Sequence, residues 1–238
     1  LCGTCHAGIA ADAAKAKSSH SPVVSGHCES CHDAHGSAHK AYLIGSQKVL
    51  CLSCHTELEE RVRKAGSVHA PVAQGTCSDC HAGHSSSEKA LLKKDAVKLC
   101  ADCHDPGDDA MAKAHSNYAV AAADCLACHD PHASPKKKLF NAVGHTPFAD
   151  GDCAACHVPA GSVSAPARLV AEGWALCSTC HSDLDATHRK GRWVHAPSKS
   201  GHCVTCHSPR NILGGFEAGR ELAGNMSGGP GGRAPSLL

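Results

Sequence analysis

The chain has 238 residues, 3% aromatic residues and a formal charge of +1 with histidine neutral. Its length suits one or two ordinary domains, but alanine and cysteine supply much of the 42% hydrophobic content, too little bulky apolar surface for a core of that size. The sequence carries no apolar run of membrane-spanning length, no visible signal peptide and no basic patch with interleaved aromatics for nucleic acid; Lys136-Lys137-Lys138 reads as a solvated loop.

The cysteines explain the missing core. The pattern Cys-x-x-Cys-His occurs nine times and uses all 18 cysteines: Cys2 and Cys5, Cys28 and Cys31, Cys51 and Cys54, Cys77 and Cys80, Cys100 and Cys103, Cys125 and Cys128, Cys153 and Cys156, Cys177 and Cys180, Cys203 and Cys206. The histidines that follow are His6, His32, His55, His81, His104, His129, His157, His181 and His207. This is the attachment pattern of c-type haem, in which two thiols add to the vinyl groups and the next histidine binds iron from the proximal side. Zinc is the serious rival, since Cys-x-x-Cys pairs and histidines are zinc ligands. Zinc does not require histidine directly after the second cysteine, however, and a disulfide scaffold would not fix every gap at two residues. The expectation is therefore nine haem c groups with their iron. The macrocycles would replace the core, and the chain without them would be largely unfolded. With its propionates ionised the loaded protein would carry roughly −17.

Taken in order, the chain repeats. Leu1-Cys2, Leu50-Cys51 and Leu99-Cys100 lie 49 residues apart, and a fourth copy opens at Leu176-Cys177. Each opens a leading site, and a second, following site comes later in the repeat. Ala10 to Lys17 reads as an alanine-rich helix. Thr56 to Ala65 reads as a helix with Glu57–Arg61, Glu59–Arg63 and Glu60–Lys64 spaced i, i+4, and Gly66 as its stop. His20-Ser21-Pro22, His69-Ala70-Pro71 and His195-Ala196-Pro197 read as extended turns into the following sites at Cys28, Cys77 and Cys203. After three following sites comes another histidine, His35, His84 or His132. Each of these leads into a loop ending in a short packed turn at Tyr42-Leu43-Ile44, Leu91-Leu92 or Leu139-Phe140.

The second half breaks the pattern. His115 stands ten residues before Cys125 instead of eight. An extra following-type half, His145-Thr146-Pro147 to Cys153, has no leading site of its own. His157 and His207 lack the second histidine after them, and Gly161 to Ala167 reads as a linker. The expected divisions are 1–140, three two-haem repeats; 141–210, an irregular three-haem half; and 211–238, a haem-free Gly-rich tail, mobile or lying on a partner.

With only Met111 and Met226 in the chain, the second axial ligands must be histidines. Candidates are His20, His69, His115, His145 and His195, upstream of following sites, together with His35, His84 and His132. A ninth ligand could be His188, His39 or a histidine of another chain. His35 lies three residues after proximal His32, on the same side of that haem, and so should bind a neighbouring one; the same holds for His84 and His132. His27 and His202 directly precede an attachment cysteine, which suits supporting roles.

Units such as His69-Ala70-Pro71, Gly75-Thr76-Cys77, Cys80-His81-Ala82-Gly83-His84 and Leu99-Cys100 to His104 resemble the doubled Cys-x-x-Cys-His cytochromes. These include pentahaem carriers and periplasmic decahaem cytochromes of outer-membrane electron conduits. The resemblance covers about residues 1–210. It implies mostly irregular chain with short α-helices wrapped around a stacked haem chain, almost no β-sheet, and bis-histidine haems acting as a wire. Opening on a leading site suggests a lost upstream half-unit and a decahaem parent.

The function expected is electron transfer, periplasmic or extracellular, in a protein exported by a leader absent from this sequence and with no catalytic residue. Its partners would be other redox proteins, an inner-membrane donor and an outer-membrane or extracellular acceptor. The rivals are a multihaem reductase with one five-coordinate haem and a subunit that self-assembles into an extracellular haem filament, a nanowire.

Overall fold

The structure is a computed structural model; it describes residues 1–121, 123–142, 144–158, 168–185 and 189–207. Two compact bodies divide the chain, Leu1–Ala142 and Val143–Leu238. The Gly161–Ala167 linker, His188 and the 211–238 tail lie outside the described residues.

The chain is mostly irregular, with short helices and, among the described residues, two sheets of two strands each. In the first body the helices are α1 (Ala7–Lys15), α2 (Ser21–Val24), α3 (Gln47–Leu52), α4 (Thr56–Lys64), α5 (Ala70–Gln74), α6 (Ala96–Ala101) and α7 (Asp109–Ala114). In the second they are α8 (Thr146–Ala149), α9 (Gly173–Cys177) and α10 (Ala196–Lys199). Among the described residues the only buried apolar side chain is Ala133, joined in burial by Ser86 and Ser134. Among the described residues no conventional core holds the fold, as the composition leads one to expect.

What joins the repeats is backbone. Strand β1 (Ser18–Ser19) pairs antiparallel with β3 (Ser85–Ser86), and β2 (Ser67–Val68) with β4 (Ala133–Ser134). Each short strand just ahead of an upstream histidine thus pairs with the segment just past the second histidine of the next repeat. The pairing runs into the histidines themselves. His20 N–H donates to the His84 carbonyl at 2.8 Å, and His69 N–H to that of His132 at 3.0 Å.

Three local expectations are corrected. The prolines do not make extended turns. His20, His69, His145 and His195 are N-caps, and the prolines sit in the first turns of α2, α5, α8 and α10, where a missing N–H costs nothing. Those helices are closed by a glycine two residues before the following cysteine. Gly26, Gly75, Gly151 and Gly201 all have φ of 75–78°, which favours glycine. Gly66 does not stop α4 by a left-handed turn, since α4 ends on the extended residue Ala65. A Cβ on Gly66 would meet the Pro135 carbonyl oxygen at 2.5 Å, so this glycine permits close approach of the next repeat. In α4, Glu60 pairs with Lys64 at 2.6 Å, but Arg61 leaves Glu57 for Asp130 in the next repeat.

Candidate haem-binding site

The nine motifs fold alike. In every one the histidine N–H donates to the carbonyl of the first cysteine, at 2.9–3.0 Å. One tight turn therefore brings both thiols and the imidazole to a common side. The following sites sit on 3-10 turns such as Cys28–Ser30 and Cys77–Asp79. In leading sites Cys51, Cys100 and Cys177 fall in the last turns of α3, α6 and α9. Serine and aspartate caps at Ser46 and Asp95 start α3 and α6.

The imidazoles come in twos. Ring centroids lie 6.1 Å apart for His20–His55, 5.9 Å for His32–His84, 6.0 Å for His69–His104 and 5.9 Å for His81–His132. They lie 6.1 Å apart for His115–His129 and 5.7 Å for His145–His181. Each pair joins one histidine of an attachment motif to one spare histidine. With metal–imidazole nitrogen bonds of about 2.0–2.1 Å, two rings on opposite sides of one iron have this separation.

The pairs obey a register. An upstream histidine meets the leading site of the next repeat, as His20–His55, His69–His104 and His145–His181. A second histidine meets the following site of the previous repeat, as His84–His32 and His132–His81. His115 is the exception, folding back to its own repeat's His129 at an interplanar angle of 81°. The next half offers His115 no leading site, and it offers His129 no second histidine after His157. The two vacancies cancel. The left-handed residues Ser116 and Asn117 that follow His115 mark the altered chain path there.

The ring tautomers are set by backbone. Nδ1 of His32, His81 and His129 lies 2.8–2.9 Å from the carbonyls of Ala41, Ala90 and Lys138. Nδ1 of His20, His69 and His115 lies 2.9–3.1 Å from those of Gly83, Pro131 and Met111. A carbonyl can only accept, so each Nδ1 carries the proton and Nε2 is left bare for a metal.

The carbonyls facing the proximal rings are held by a device the sequence reading passed over. In Ala41-Tyr42, Ala90-Leu91 and Lys138-Leu139 both residues have positive φ. The hydroxyls of Ser37, Ser86 and Ser134 donate to the carbonyls of Leu43, Leu92 and Phe140 and so clamp each loop. The signal available was a serine five residues after each of these three proximal histidines. Lys138 is thus exposed in its side chain, as expected of a solvated run, but functional through its backbone. His157 keeps the same return, bridging Leu169 as His32 bridges Leu43.

The thiols form a line. Cys2 stands beside Cys28, and Cys31 lies near Cys54. Burial pushes the Cys51 thiol up to about 11, helped by Cys77 beside it. Cys80 neighbours Cys103, and Cys100 is likewise pushed up to about 11 by burial and by Cys125. In the second body Cys177 touches Cys203 and neighbours Cys156. Within each body, successive attachment sites are neighbours in chain order. Among the described residues no cluster of three or more His, Cys, Asp or Glu is arranged to hold a metal ion, whereas a structural zinc site takes four such ligands.

His6, His35, His195 and His207, among the described residues, face no second imidazole. The His35 side chain is 100% exposed, against 32% for His132 at the equivalent place. His27 lies 3.8 Å from Glu29 and His202 3.2 Å from Ser200 Oγ.

Repeated turns that present two thiols and an imidazole, with a second imidazole set opposite, define a multihaem c-type cytochrome. The model of the doubled CXXCH motif matches residues 20–60, 69–109, 117–144 and 145–186, more than half of the chain, and the chain belongs to that family. No curated protein matches it. The residues fit covalently bound haem c. The cysteine pairs would anchor it by thioethers, the imidazole pairs would bind its iron from both sides, and when bound it supplies one-electron redox chemistry.

Proposed function

We propose that this protein carries single electrons through nine covalently bound haems, most of them bis-histidine, in the periplasm or outside the cell. The observation that supports it most is the set of six imidazole pairs, because an iron with both axial positions filled transfers electrons and has no open site for substrate. The neighbouring attachment sites support conduction in chain order within each body. Two imidazoles, with no methionine at the iron, favour low potentials. The sixth ligand at the His157 site would come from His188 or from a histidine of another chain. No helix among the described residues is long and apolar enough to cross a membrane, which suits a carrier that meets its donor and acceptor by docking.

Intact-mass measurement of the mature protein should give nine haem masses above the polypeptide. In stopped flow, the fully reduced protein should return nine electrons to a one-electron acceptor. Fewer haems, or haems that stay reduced while others empty, would contradict the reading.

A further inference from the structure

Five of the six imidazole pairs are closer to parallel than to crossed. Their interplanar angles are 13° for His20–His55, 39° for His32–His84, 25° for His69–His104, 12° for His81–His132 and 33° for His145–His181. His115 and His129 cross at 81°. We propose that His115 makes the Cys125–Cys128 site the electron store of the first body, a site of higher potential than its neighbours because its two axial rings are crossed. The proposal rests on the bis-histidine reading.

The crossing has a cause in the chain. His20 and His69 take their ring orientation from the next repeat, where Nδ1 donates to the carbonyls of Gly83 and Pro131 at 3.1 and 3.0 Å. Their backbone N–H groups donate there too, to His84 and His132. His115 closes α7 and is tied to its own helix instead. Its N–H and its Nδ1 both donate to the Met111 carbonyl, at 3.1 and 2.9 Å. The proximal ring is held as in the other repeats, since His129 Nδ1 meets the Lys138 carbonyl as His32 and His81 meet those of Ala41 and Ala90. The rotation therefore belongs to His115.

Ring angle acts on potential through the iron d orbitals. The π system of an imidazole mixes with the iron dπ orbital that stands across its plane. Parallel rings raise the same dπ orbital and split the pair. The single hole of low-spin ferric iron settles in the raised orbital, which stabilises the oxidised state. Crossed rings raise both orbitals alike, and that stabilisation is lost. Ferrous iron, with both orbitals filled, is indifferent to the splitting, so the potential rises.

A second feature pushes the same way. Phe140 stacks on the His129 ring, with centroids 5.2 Å apart and planes 15° from parallel. The residues that bridge His32 and His81 at the same place are Leu43 and Leu92. Apolar cover disfavours the more highly charged ferric state, and burial is a known lever on haem potential. The site also lies where a store can fill. Cys125 stands beside Cys100, and Cys125–Cys128 is the last attachment pair of the first body. One electron passes from the His104 site, which goes from ferrous to ferric, to the His129 site, which goes from ferric to ferrous. No bond is made or broken.

The test uses the mature full-length protein with its haems and the variants His115→Ala and Phe140→Leu. Neither touches an attachment motif, and both should load haem fully by mass. Low-temperature EPR is recorded through a reductive titration. Crossed rings give a highly anisotropic low-spin signal whose largest g value exceeds that of the rhombic signals from near-parallel rings. The wild type should show such a signal, and it should vanish ahead of the rhombic ones as the potential is lowered. His115→Ala should remove one spin per chain from it, leave the rhombic signals unchanged and gain one high-spin haem that binds carbon monoxide when reduced. Phe140→Leu should keep the anisotropic signal and bring its disappearance closer to that of the others.

Low-spin haems that are all rhombic in the wild type overturn the proposal and leave bis-histidine ligation standing. An anisotropic signal that survives whole in His115→Ala overturns it as well, as does one that outlasts the rhombic signals on reduction. Its loss in Phe140→Leu would put the crossing on Phe140 and do the same. If the wild type already holds the high-spin haem and His115→Ala adds none, the bis-histidine reading itself fails at this site.

Discussion

Nε2 of His145 lies 3.5 Å from Nε2 of His181, across 36 residues of sequence. With one of them protonated these nitrogens are within hydrogen-bond reach; with both unprotonated they are free for a metal. They are brought face to face by chain that sets them close to the span of about 4 Å that two metal–nitrogen bonds laid end to end would make. The same opposition recurs at five other places, and each can be broken singly.

Replacing His84 by alanine should leave the His32 site with one axial ligand and change nothing at His81, whose partner is His132. The variant should gain one high-spin, carbon-monoxide-binding haem per chain at unchanged haem content. A gain at the His81 site instead would contradict the register. The measurement is a carbon monoxide titration of the reduced variant against the wild type.

The serine clamps should rank by burial. Ser134 is 1% exposed and Ser86 9%, and both hydroxyls hold the loop that orients a proximal ring; Ser37 is exposed. Alanine at 134 should cost about 1–3 kcal/mol, the usual loss for orphaning buried polar partners, with less at 86 and least at 37. Denaturant unfolding of the three loaded variants gives the order directly.

Gly66→Ala should weaken the join between the second and third repeats. The new Cβ would stand 2.5 Å from a backbone oxygen, that of Pro135, and strand pairing between Ser67 and Ser134 lies next to it. Overpacking of this kind costs about 1–3 kcal/mol. Amide exchange should quicken at Val68, Ala133 and Ser134 while the β1–β3 pair stays protected.

Acid should undo ligation below the ordinary histidine range. Burial lowers the pKa of His84, His129 and His132 from the usual value of about 6.5. The folded state therefore binds fewer protons at these rings than the unfolded one. Stability from them is present above the unfolded pKa and is lost as pH falls through it toward the depressed folded values. The low-spin spectrum should hold at neutral pH and give way only well below the ordinary histidine range, because iron bound at Nε2 holds the proton off. An increase in low-spin content on acidification would contradict the sign.

Without haem there is little to fold around. Ala133 is the only buried apolar side chain among the described residues, so polypeptide made without haem attachment should show the circular dichroism of a largely unfolded chain.

The sequence made the attachment sites legible because their chemistry requires contiguous residues, and covalent anchoring leaves no freedom in the Cys-x-x-Cys-His spacing. The identity of the spare histidines was legible through their repetition. Which ring each would face was not, because partners such as His32 and His84 lie in different repeats and only the β1–β3 and β2–β4 pairings fix that correspondence. His-x-Pro was misread as a turn because proline bars helix interiors but suits first turns, and the N-cap was a histidine, outside the usual capping set. The left-handed pairs Ala41-Tyr42 and Ala90-Leu91 escaped notice because residues of those types seldom adopt positive φ. They do so here where hydroxyl clamps and the ring Nδ1 hold the loop.

The measurement that tests the account most directly is the spin state of the haems in the oxidised protein, by low-temperature EPR with the spins counted. Two imidazoles per iron predict at least six low-spin ferric haems per chain, one for each ring pair. A high-spin majority would mean that the paired rings do not share an iron, and would contradict the account.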